Sequence, residues 1–199
     1  MERNSQIKNI TLGILLVAVV TLSIAYAVLS SSLSINAQAT VKGANWNVQF
    51  QSKSGQSNLC TITKGSASST ASFVSGKTGS LNATTLNNLG VNFSVPGDKV
   101  VCTWEVANLG DFDAKLTTFT KGTPTSSDSN VTSNIVYTLT YDTEGGTAVA
   151  QNNTLPKSGS SGSTKTLVLT IKYKDDATYI PSSDVAVTGL TASFVYTQN

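Results

Sequence analysis

An all-β domain, an antiparallel β-sandwich of jelly-roll or immunoglobulin-like type, is the fold the sequence predicts, preceded by one N-terminal hydrophobic helix. Three observations predict it. Apolar and polar residues alternate in many short runs bounded by Gly, Pro, Asn and Asp, the pattern of strands with one buried face. Charged residues make up only 12% of the chain, about half the usual share. Ser, Thr and Asn take their place, and hydroxyl and β-branched side chains disfavour helices while suiting a pleated, half-buried surface. Finally, one uncharged stretch, 10–29, is apolar on every face, as no amphipathic surface helix would be.

That stretch comes first. Residues 1–9 are polar and carry Arg3 and Lys8. The apolar run behind them, at 1.5 Å rise per residue, spans about 30 Å, the thickness of the hydrocarbon core. The basic flank places the N-terminus inside and everything after Leu29 outside. Residues 1–29 are therefore expected to be a signal peptide or membrane anchor, and 30–199 an extracytoplasmic domain. Ala25-Tyr26-Ala27 has the small-x-small form of a signal peptidase site at the end of the apolar run, and Ala37-Gln38-Ala39 repeats that form further on. Cleavage after Ala27 is the favoured reading, with retention as an anchor the alternative. A type IV pilin would carry an acidic residue soon after its processing site, and none lies between Glu2 and Asp98.

The strands follow in order. Leu33, Ile35, Ala37, Ala39 and Val41 alternate with polar residues, then Trp46, Val48 and Phe50. Weaker runs lie at 59–63 and 69–74. Val91, Phe93 and Val95 are stopped by Pro96-Gly97-Asp98; Val100, Cys102, Trp104 and Val106 end at Asn108-Leu109-Gly110-Asp111. A weak run at 114–120 precedes Ile135, Tyr137, Leu139 and Tyr141; Leu167, Leu169, Ile171 and Tyr173 repeat the pattern, and Leu190, Ala192, Phe194 and Tyr196 close it. Gly/Ser-rich 52–58, 64–70 and 157–164 read as loops. Helical spacing is expected nowhere beyond the N-terminus. Both tryptophans fall in step with core positions and are expected to be core aromatics.

The chemistry is sparse. The chain has no histidine, which removes the commonest general base and zinc ligand and makes a Ser-His-Asp triad impossible. Asp111 and Asp113 lack the spacing of a calcium loop and read as a turn. Leu155-Pro156-Lys157-Ser158-Gly159 resembles a sortase signal without the apolar tail such a signal needs, and reads as a loop. No catalytic, cofactor-binding or metal site is expected, and no enzyme. The net charge of +2 is small, so nucleic acid is not an expected partner. Two cysteines, Cys60 and Cys102, are an even count in an exported chain and are expected to pair; the alternative is two buried thiols that never meet.

The layout resembles the TasA/camelysin group of bacterial surface and biofilm-matrix proteins. An export segment ends at Ala25-Tyr26-Ala27, a strand comes directly after it, and Val106-Ala107-Asn108-Leu109-Gly110 with Ala114 is similar to that group's V-x-N-x-G segment followed by a small residue. The resemblance implies a jelly-roll subunit of a homopolymer, in which an N-terminal strand completes the sheet of a neighbour. Leu33, Ile35, Ala37, Ala39 and Val41 would be that donor strand, since an open sheet edge invites β-augmentation. The group's protease activity does not carry over, because histidine ligands for zinc are missing. The expectation is a structural protein at the cell surface; the alternative is a membrane-anchored, monomeric binding module whose glycan or protein ligand is unknown.

Overall fold

The computed structural model describes residues 43–199, and these form one unit with antiparallel β-structure throughout. The N-terminal hydrophobic helix, the cleavage candidates Ala25, Ala27, Ala37 and Ala39, and the donor-strand residues Leu33 to Val41 all lie outside the described residues.

Among the described residues ten strands build three sheets. The largest contains β1 (Val48–Gln51), β2 (Cys60–Thr63), β5 (Lys99–Asn108), β9 (Thr164–Tyr173) and β7 (Ile135–Tyr141). Its order is β1-β5-β9-β7, with β2 pairing the first half of β5 and β1 the second half. A three-stranded sheet has the order β10-β6-β8, formed by Ala192–Gln198, Ala114–Lys121 and Thr154–Leu155. The two-stranded sheet pairs β3 (Ser72–Leu81) with β4 (Leu86–Asn92). One helical turn, α1 (Ser129–Ser133), precedes β7 and is capped by Asp128, whose carboxylate accepts from Asn130 N.

β5 and β9 carry the core. Val100, Cys102, Trp104 and Val106 are buried on one face of β5, while the residues between them are half-buried. β9, central in its sheet, is buried continuously from Leu167 to Ile171, so its side chains are withdrawn from water on both faces of the sheet. The cluster also takes Ala114, Leu116 and Leu155 from the three-stranded sheet, so both sheets share one core. A chain of rings joins them: Phe50 packs edge-on against Trp104 at 6.0 Å and against Phe194 at 5.7 Å, and Phe194 meets Phe119 at 5.3 Å. Each such pair adds about 1 kcal/mol beyond its buried area.

Cys60 and Cys102 stand directly opposite in register and form a disulfide. The flanking bond, Thr103 N to Leu59 O at 2.9 Å, belongs to the neighbouring pair. The cysteines therefore occupy a non-hydrogen-bonded position, where opposed Cα atoms come closest; here they are 4.0 Å apart. The bond suits an oxidising compartment.

Trp104 is 3% exposed, as a core aromatic should be, but Trp46 is 42% exposed. Trp46 continues the alternation of Val48 and Phe50, yet it precedes β1 in the exposed stretch 43–46, which belongs to no strand. Expecting it in the core was wrong.

Candidate functional site

Register gives the domain two ends. Lys99 of β5 lies level with Thr63, Lys172 and, across β9, the start of β7; Asn108 lies level with Val48, and nearby Ala107 pairs Thr164. Two adjoining pockets that share Leu190 make up a cleft between the middle of the domain and the Lys99 end. Its outer part, about 920 Å³, is lined by Leu89, Val91 and Phe93 of β4 and the residues after it, by Ile135, Ile171 and Tyr173 of the large sheet, and by the segment from Ile180 to Leu190. The inner part, about 380 Å³, shares Leu190 and is lined by Leu86 at the start of β4, by Trp104, Tyr137, Leu139 and Leu169, and by Ala192 to Phe194 of β10.

The two strands beside this cleft each have one paired neighbour among the described residues: β4 pairs only β3, and β10 only β6. Neither has a second strand partner among the described residues. On the floor, the buried Trp104 Nε1–H finds no acceptor among the described residues, an uncommon state for a buried donor. Burial also raises the pKa of the Tyr137 hydroxyl, so it stays a neutral hydrogen-bonding group.

Two devices set the walls. Asp98, fully buried, gathers the β4 side: its carboxylate accepts from Gly65 N at 2.8 Å, Ser69 Oγ at 2.6 Å, Ser94 N at 2.7 Å and Val95 N at 2.9 Å. Burial alone would raise its pKa, but these four donors outweigh it and hold the pKa below the ordinary carboxylate value. Gly97 makes the turn possible with φ 88°, a left-handed conformation that glycine adopts without a steric penalty.

The opposite wall, 174–191, is irregular and is tied down at several points, from Lys174 N on Asn134 O at one end to Thr191 O under Gly122 N at the other. The Tyr173 hydroxyl donates to Tyr179 O, Tyr179 Oη donates to Asp128 Oδ2 at 2.6 Å, and Thr125 and Thr188 exchange backbone bonds at 2.9 and 2.8 Å. The Tyr179 bond leads the effects that lower the Asp128 pKa, and the same bond raises that of Tyr179.

Asp111 and Asp113 act as loop clamps: Asp111 Oδ2 accepts from Asn45 N at 2.7 Å and Asp113 Oδ1 from Lys157 N at 2.8 Å. Among the described residues no three His, Cys, Asp or Glu side chains converge on a metal position, and no helix is long and apolar enough to cross a membrane. The V-x-N-x-G segment has a physical basis. Asn108, fully buried, donates to Phe112 O at 2.8 Å, Leu155 O at 3.0 Å and Pro156 O at 3.1 Å, and accepts from Gly110 N. A Cβ on Gly110 would sit 2.7 Å from Asn45 O.

The cleft is not legible in the sequence because its lining comes from at least five stretches far apart along the chain, including β4, β5, β7, β9 and 180–194. Asp98 was seen only as part of a strand stop. No protein-family model, curated protein or solved structure matches the chain.

Proposed function

We propose that this protein is an exported structural protein of the cell surface, a fibre or biofilm-matrix subunit that polymerises by donating residues 30–41 to the next copy. On this reading the two larger sheets face each other as a β-sandwich of jelly-roll or immunoglobulin-like type, and the cleft is its missing strand position. The observation that carries the proposal is the cleft itself, flanked by β4 and β10, each with a single strand partner among the described residues, and floored by Ile171, Tyr137 and Trp104. An entering strand would find backbone partners on β4 and β10, and its alternate side chains would meet Ile171, Tyr137 and Trp104.

The candidate donor fits these demands. Leu33, Ile35, Ala37, Ala39 and Val41 supply one apolar face, and the stretch 30–41 carries no charge. Cleavage after Ala27 would leave it near a free N-terminus. The disulfide is in keeping with export, and the layout with the TasA/camelysin resemblance.

The test is deletion of residues 33–41. Surface extract from cells with the full chain should show gel-excluded material that collapses to one band on boiling. The deletion variant should give a folded monomer in both lanes. Fibres that persist in the variant would end the proposal; monomer from the full chain would favour the anchored binding module.

A further inference from the structure

We infer that Trp46, Leu109 and Phe112 form a docking surface for a second copy of this chain, seated around Ile180 at that copy's Lys99 end. The inference rests on the strand-donation reading and adds a surface to it.

Five large apolar side chains of the described residues are exposed, and three of them, Trp46, Leu109 and Phe112, gather at the Asn108 end. The backbone holds them together. Leu109 N donates to Asn47 O at 2.7 Å and Asp111 N to Asn45 O at 2.9 Å, which joins the stretch before β1 to the stretch after β5. Asn108 fixes the same loop from beneath through Phe112 O. The patch is therefore presented in a fixed arrangement, and a tryptophan that buries its ring without ordering a loop is the usual anchor of a protein interface.

Chain connectivity says what covers it. Val41, the last apolar residue of the donor stretch, precedes Trp46 by five positions, a reach of about 17 Å when extended. A donor strand that enters a neighbour's cleft N-terminus first leaves Val41 at the mouth. The donor's own Asn108 end must then stand against that mouth. The mouth is at the Lys99 end, beside Tyr173 and Ser94, and its exposed apolar side chain is Ile180, at 55%. Patch and counterpart lie at opposite ends of one domain. Such a contact is heterologous and does not close, so repetition extends a filament.

The direction of the inserted strand follows. β10 runs away from the Lys99 end, since Asn199 N reaches Asp113 O near the Asn108 end. A donor ending at the mouth is therefore antiparallel to β10.

The test uses the full chain with Trp46→Cys or Ile180→Cys, assembled together and treated with a short bis-maleimide. Denaturant-resistant dimers from the mixture, and none from Trp46→Cys alone, are expected. Linkage of Trp46→Cys to itself would show an end-to-end contact and overturn the inference. Unlinked copies within fibres that still sediment would overturn it while leaving strand donation standing. A chain that never forms fibres would overturn both. As a second measurement, Trp46→Ser with Leu109→Ser, whose side chains are each about two-fifths exposed, should leave the chain folded with a lowered melting temperature and raise the critical concentration for fibres about tenfold, measured well below that temperature. An unchanged critical concentration would also overturn the inference.

Discussion

The two ends of β5 solve the same problem with different chemistry. At each end the strand hands over to loops whose backbone groups must be satisfied away from water, and at each end one fully buried polar side chain does so: Asp98 before Lys99, Asn108 as the last residue. Asp98 only accepts, and it draws in N–H and O–H groups from the 65–69 loop and the end of β4. Asn108 mainly donates, and it gathers carbonyls from Phe112, Leu155 and Pro156. The carboxylate can hold four donors because it carries a full charge and several lone pairs. It also makes its end depend on protonation, which the amide does not. The cleft mouth is thus built on a titratable group, and the aromatic patch on one that has no charge to lose.

Removing each side chain tests how much either end depends on it. Asp98→Ala strands three backbone N–H groups and the Ser69 hydroxyl, and it should cost about 4 kcal/mol, read as a fall in the urea midpoint at pH 7. Asn108→Ala strands carbonyls, which tolerate it better, along with Gly110 N, and should cost about 3 kcal/mol in the same assay. Equal losses, or a larger loss at Asn108, would mean that the carboxylate's charge adds nothing over a neutral clamp.

How much of this the sequence disclosed depends on how local each signal is. β5, β7 and β9 were legible because each alternates without interruption along one stretch. β4 was caught only at its end, through Val91. Asn88 sits at φ 52°, and Leu86 is out of step with Leu89 and Val91; the β3–β4 register also shifts between Phe73 and Thr78, on the β3 side. α1 is a single turn, too short to display a period, and β8 is two residues long. The pairing of Cys60 with Cys102 followed from their even count and the export segment, while their cross-strand opposition required knowing that β2 lies on β5. Asp98 stood in a Pro-Gly-Asp turn signal, and nothing near it announced that Gly65 and Ser69 would bring it donors from across the loop.

The smallest effect is the most discriminating. Because the folded Asp98 pKa is depressed, its contribution to stability is present above the unfolded value near 4 and is lost as the pH falls through the folded value. Stability should therefore decline with acid, and Asp98→Asn, already weaker at neutral pH because its amide NH₂ faces donors, should decline less steeply. Asp128 also has a lowered pKa, so some acid dependence should persist in that variant. Asn108→Ala should keep the full wild-type slope, displaced downward by a constant. Urea midpoints measured from pH 6 down to pH 2 for the three proteins would check this. If Asp98→Asn runs parallel to the wild type, the carboxylate at the mouth of the cleft is not the titrating clamp, and the distinction between the two ends of β5 fails at its chemical root.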